Sequence, residues 1–145
     1  MNISDILTDV VLLEKAESKR ELLQILSQKL AAVSGVDERA LFDVVWERES
    51  LGSTGFGNGT AMPHGRIPEL NRLYGIFAKL AQPLEFDAAD NKPVDLVFML
   101  LSPENSGADH LTALAKISCL LKDEENPRRL REASDVQCIR DILTK

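Results

Sequence analysis

The chain has 145 residues, 44% of them hydrophobic and 28% charged, as in an ordinary water-soluble globular protein. Its 17 basic and 23 acidic side chains leave a formal net charge of -6, without the basic patch or high pI of a phosphate-backbone binder, so nucleic acid is not an expected partner. One domain spanning residues 1–145 is expected, large enough to bury roughly 70% of the surface its unfolded chain exposes.

The first elements read as helices around a short strand. Residues Ile3 to Leu7 can form a helical turn, and the β-branched run Val10 to Leu13 a strand. Ser18-Lys19-Arg20-Glu21 has the form of a capping box. Behind it Leu22, Leu23, Ile25, Leu26, Leu30 and Val33 recur at helical period, and Gly35 ends the helix. Asp37 caps a second helix with Leu41, Val44 and Val45 inward and Glu47, Arg48 and Glu49 near its end; Gly52 stops it.

A glycine-rich loop follows, Gly52 to Gly65, holding five of the eight glycines and ending at His64, one of two histidines. Strands are expected at Leu73–Leu80 and at Val94–Leu101; the second is apolar throughout and therefore central, covered on both faces. Gly107-Ala108-Asp109 opens a long helix with the stripe Leu111, Leu114, Ile117, Leu120 and Leu121. Pro127 begins a short helix, and Asp135 a last one with Val136, Ile139 and Ile142 inward. Such an order implies an α/β or α+β layered domain.

The cysteines, Cys119 and Cys138, form no CxxC pair, which excludes a zinc ribbon or a thioredoxin-like site. Cys119 sits in an apolar run and reads as a buried thiol. Asp5, Asp9 and Glu14 near the start argue against a signal peptide. The longest strongly apolar stretch, Leu96 to Leu101, is too short to cross a bilayer. A cytoplasmic protein without membrane insertion is expected.

The glycine loop fits neither common nucleotide pattern. No lysine lies between Gly52 and Gly65, so it is not a P-loop. Counting from Gly55, Thr60 stands where the third glycine of a dinucleotide fingerprint belongs, and the loop precedes a strand rather than a helix. Two histidines 46 positions apart with scattered carboxylates do not specify a metal site, and a metal-dependent or histidine phosphohydrolase also lacks a placed general acid. What remains is an imidazole mounted between Pro63 and Gly65, with His110 in the first turn of a helix whose N-terminus favours anions. Such a pair suits a phosphoryl group: His64 as nucleophile, His110 donating to its oxygens, Arg48 adding charge. Each residue also has an unexceptional reading by itself: His64 a turn residue, His110 a first-turn helix residue, Arg48 a solvated charge, the glycines a flexible link.

Arg48-Glu49-x-Leu51-Gly52-Ser53-Thr54-Gly55-x-Gly57-x-Gly59-x-Ala61-x-Pro63-His64-Gly65 resembles the active-site signature of the fructose/mannitol-type enzyme IIA domains of the phosphoenolpyruvate-dependent phosphotransferase system. The segment from Pro93 to Leu111, with Asp109-His110, looks like the second half of that family, and most like the stand-alone nitrogen-regulatory enzyme IIA. Met62 stands where the family often has isoleucine, a swap of similar volume. The resemblance implies a mixed β-sheet with helices on both faces. It implies that His64 accepts a phosphoryl group on Nε2 from an HPr-like phosphocarrier. It makes His110 the second active-site histidine, Arg48 the arginine near the phosphoryl group, and Ser53, Thr54 and Gly65 members of a phosphate-supporting loop. No cofactor or metal is implied, only the covalent phosphoryl group. Phe56, Met62 and Ile67 are candidates for an apolar rim meeting the carrier. Two fates for the phosphate remain open. One is regulation, in which the phosphorylation state of His64 selects target proteins; a lone IIA-like domain favours it. The other is sugar uptake, in which the phosphate passes to a IIB domain.

Overall fold

A computed structural model describes residues 1–145. Helix α1 (Ile3–Ile6) leads into strand β1 (Leu7–Leu13); α2 (Lys19–Ser34) and α3 (Glu38–Leu51) follow. Next come β2 (Gly55–Gly57), β3 (Thr60–Ala61), β4 (His64–Ile67), β5 (Tyr74–Leu84) and β6 (Val94–Pro103). Helices α4 (Ala108–Lys122), α5 (Glu125–Glu132) and α6 (Val136–Leu143) complete the chain. The start signals act as read: Ser18 accepts from the Glu21 amide at 3.1 Å, Asp37 from Ala40 at 3.1 Å and Asp135 from Cys138 at 2.8 Å. Glu21 completes its box one residue early, on the Glu17 amide.

The six strands form one mixed sheet in the order β1-β5-β6-β3-β2, with β4 also paired to β6. β5 and β6 are antiparallel; β1 runs parallel to β5, and β3 and β4 run parallel to β6. Sheet alternation divides β6 between two cores. Val97, Met99 and Leu101 join Leu22, Leu26, Leu41 and Val45 under α2 and α3. Leu96, Phe98 and Leu100 join Ile117, Leu121, Leu130 and Ile139 under α4, α5 and α6. Each fully buried Leu, Ile or Phe stabilises by about 1.5–3 kcal/mol. The fold is therefore α/β with helices on both faces, and β6 is the central strand that its apolar run implied. No helix is long and apolar enough to cross a membrane.

Several expected inward residues face water instead. Val33 is 53% exposed and Val136 39%. On α4 the buried positions are His110, Ala113, Ile117 and Leu121, while Leu111 is 64% exposed. The helix is rotated from its predicted stripe because His110 takes a place on the sheet. That rotation puts Cys119 on the outside, so its thiol is exposed rather than buried; both thiols are free.

Candidate functional site

The glycine stretch is a folded hairpin, not a loop. β2 and β3 are antiparallel, joined by Asn58 at φ 57° and Gly59 at φ 74°. Two positive φ values across a two-residue connection are the requirement that Asn-Gly meets best. The Asp90 carboxylate accepts from the Asn58 amide at 3.1 Å, and Arg131 donates to the Asn58 carbonyl and grips Asp95.

His64 opens β4, just after an interruption in the sheet. β3 and β4 pair with the same edge of β6, with Met62 and Pro63 between them. Proline has no N–H for a ladder, and the break leaves the Met62 carbonyl facing the imidazole: His64 Nδ1 lies 2.9 Å from it. A carbonyl only accepts, so Nδ1 carries the ring proton and Nε2 presents its lone pair. Burial is the largest cause holding the His64 pKa below its ordinary value; the Met62 contact opposes it, Arg48 lowers it further and Glu49 raises it. The ring is half-buried between Pro63 and Gly65, both of which are buried.

Alternation along β4 sorts its four residues. Ile67 is fully buried with the α2 and α3 core, so it cannot belong to an exposed apolar rim. Gly65 faces the same way. A Cβ there would lie 2.7 Å from Val44 Cγ1, so glycine lets β4 approach α3 closely. His64 and Arg66 take the other side, toward α4. The His64 and His110 ring centroids are 5.6 Å apart, tilted by 55°. Arg66 Nη1 donates to Ser106 Oγ at 3.2 Å.

His110 is buried in the first turn of α4, its Nδ1 2.7 Å from Ser102 Oγ. Burial, then the charge of Arg66, then His64, push its pKa down to about 4. It is therefore neutral near pH 7. When Ser102 donates to Nδ1, the remaining ring proton sits on Nε2, free for an oxygen acceptor.

Arg48, in the last turn of α3, donates from Nη1 to the Gly52 carbonyl at 2.9 Å. Ser53 donates to the Phe86 carbonyl at 2.7 Å, and Thr54 to Glu49 Oε1 at 2.5 Å. Both hydroxyl protons are thus engaged, that of Thr54 at the end of α3 and that of Ser53 across to the segment after β5. The Glu49 carboxylate holding that turn is itself buried, accepts from the Thr54 amide at 2.8 Å, and pairs with Lys19 at 3.2 Å. No three His, Cys, Asp or Glu side chains are grouped as an ion would need.

The structure thus brings together His64, His110 and the charge of Arg48, with Gly65 beneath. It adds residues that the sequence reading passed over. Strand period puts Arg66 on the face of His64, but only the pairing of β4 with β6 shows what it meets there. Ser102 is the polar end of an apolar run, and Asn58-Gly59 is a hairpin signal.

Residues 7–145 match the family described as "Phosphoenolpyruvate-dependent sugar phosphotransferase system, EIIA 2". A nitrogen regulatory protein of Bradyrhizobium diazoefficiens is 46% identical over 99% of this chain and 95% of its own. The fructose-specific EIIA component of a phosphotransferase system from Haloferax volcanii is 33% identical over 100% of this chain and 98% of its own. The crystal structure of nitrogen regulatory protein IIA-Ntr from Neisseria meningitidis superposes with a TM-score of 0.91 at 36% identity, covering 98% of this chain and 99% of that one.

Proposed function

The chain belongs to the EIIA type 2 family of the phosphoenolpyruvate-dependent sugar phosphotransferase system, and from that membership we propose that it is a phosphohistidine carrier of a nitrogen-related branch, with His64 the phosphorylated residue. One observation carries the assignment of the atom: Nδ1 of His64 is bound to the Met62 carbonyl, so Nε2 is the free nucleophile of a ring whose centroid lies 5.6 Å from that of His110. The donor is an HPr-like carrier holding a phosphoryl group on a protonated imidazole. The His64 Nε2 lone pair forms the new N–P bond as the donor N–P bond breaks. The electron pair returns to the donor ring, which leaves as neutral imidazole. The positive charge passes to the His64 ring, whose Nδ1–H stays on Met62. Nearly symmetric, the exchange needs alignment and neutralisation of the phosphoryl oxygens more than acid–base chemistry. His110 donates to one of those oxygens and Arg48 supplies charge. Ser53, Thr54 and Gly65 act by holding the turn and strand that carry His64. No cofactor enters; the phosphoryl group is carried covalently.

Leu51, 83% exposed, and Leu111, 64% exposed, lie on the turns that carry Arg48 and His110. With half-buried Phe56 and Met62 they replace Ile67 in the rim offered to the carrier. Phosphorylation then adds about two negative charges to a surface that otherwise presents cations, which is the physical basis for choosing target proteins by state in the cytoplasm. The higher identity to a nitrogen regulatory protein supports this reading. Likeness to a fructose-specific EIIA component supports a second, in which phosphate passes to a IIB domain.

Incubation with phosphoenolpyruvate, the general phosphotransferase and an HPr-like carrier should give one acid-labile, base-stable phosphate per chain, abolished in His64→Ala. Equal labelling of His64→Ala would refute the assignment. Rapid onward transfer to a sugar-specific IIB domain would favour the second reading.

A further inference from the structure

We propose that Arg66 is a phosphoryl-binding residue of this site, closing on the phosphoryl oxygens from the His110 side while Arg48 approaches from the other. The inference rests on the phosphohistidine reading above and extends it to a residue that the signature around His64 does not include.

Three observations place Arg66 there. First, β4 pairs in parallel with β6 in the register His64 with Leu100 and Arg66 with Ser102. Side chains two apart on a strand share a face, and Ser102 on that face holds His110. Arg66 therefore lies one ladder step from His64, about 6–7 Å along the strand, within the reach of an arginine side chain. Second, Arg66 is half-buried yet makes no ion pair; its one hydrogen bond is to the neutral hydroxyl of Ser106. A partly buried guanidinium without a carboxylate leaves several of its five donors available to an anion. Third, its charge is felt at the His110 ring, whereas that of Arg48 is felt at the His64 ring. Arg48 has one of its arms committed to the Gly52 carbonyl; Arg66 is tied only to a side chain that can rotate away.

The test separates this inference from the reading it rests on. His64 is phosphorylated with phosphoramidate, a small donor that needs no carrier, in the parent, Arg66→Gln and Arg66→Lys. The phosphohistidine is then titrated by 31P NMR. A cation on the phosphoryl oxygens favours their dianion. Arg66→Gln should therefore raise the phosphoryl titration midpoint by about one pH unit, with Arg66→Lys restoring most of it. In carrier-driven exchange the equilibrium labelled fraction of Arg66→Gln should fall, its equilibrium constant by about tenfold, the scale of one charge-assisted hydrogen bond. A change confined to folding stability would leave the midpoint in place. Identical midpoints in parent and Arg66→Gln overturn the inference. Labelling by phosphoramidate with the predicted shift, but no labelling by the carrier, would sustain Arg66 and refute the carrier reading. If phosphoramidate leaves His64 unlabelled, both fall.

Discussion

At the scale of single residues, the two histidines are both neutral near pH 7, for different uses. Nδ1 of His64 is fixed by a backbone carbonyl, which commits one tautomer; that of His110 meets a hydroxyl that can donate or accept. The burial of His110 has a thermodynamic consequence. Its pKa is about 4 in the folded protein and near 6.5 in the unfolded chain. Above pH 6.5 neither state is protonated there and the residue adds no pH dependence. Between 6.5 and 4 the unfolded chain binds the extra proton, so folding stability falls as pH falls. From pH 7 to pH 5 that loss is about 2 kcal/mol. Urea unfolding of the parent and of His110→Gln at both pH values should show the parent losing more by about that amount. Parallel losses would mean that His110 titrates normally.

At the scale of elements, the site depends on how α3 ends. Glu49, in the last turn of α3, turns inward beneath the start of the hairpin and ties Lys19 of α2 to the amide and hydroxyl of Thr54. Removing one partner of a buried pair leaves the other unsatisfied, at about 3 kcal/mol or more. Glu49→Gln should therefore lower the unfolding free energy by about 3 kcal/mol and slow carrier-driven labelling of His64, measured by denaturant titration and by the initial labelling rate. An unchanged labelling rate in a destabilised variant would confine Glu49 to folding. From sequence alone Glu49 reads as one of three charges at a helix end, since nothing local shows that the next turn folds back over it. The long apolar runs were easier. β6 and α2 follow from patterns whose burial is decided by many residues at once, and the caps Ser18, Asp37 and Asp135 are local. His64 and His110 were legible through a long signature. Arg66 and Ser102 were not, because their meaning lies in the register of β4 on β6 and in the rotation of α4, both set by tertiary packing. Leu111 misled for the same reason: a leucine beside a histidine that packs inward must itself point out.

At the scale of the whole molecule, the two cores share β6, and both of the pairing edges of β6 are occupied. Opening β6 means breaking both helical layers, so its amides should exchange only through global unfolding. The β2–β3 hairpin is different. Its strands are three and two residues long at the end of the sheet, too short to be stable by pairing alone. Its tip is held by the Asp90 carboxylate on the Asn58 amide and by Arg131 of α5, which binds the Asn58 carbonyl and grips Asp95 through both carboxylate oxygens. This contact connects the C-terminal helices to the segment that leads, three residues after β3 begins, to Pro63 and the break before His64. Arg131→Ala should therefore speed hydrogen exchange at hairpin amides such as Phe56 and Thr60 by tenfold or more, about 1.4 kcal/mol of local opening, while leaving Phe98 and Met99 at the global limit. Amide exchange followed by NMR reads both sets in one experiment. A uniform increase over hairpin and β6 alike would show that Arg131 stabilises the fold as a whole; an increase confined to the hairpin would show that the C-terminal helices set the rigidity of the strand leading to His64.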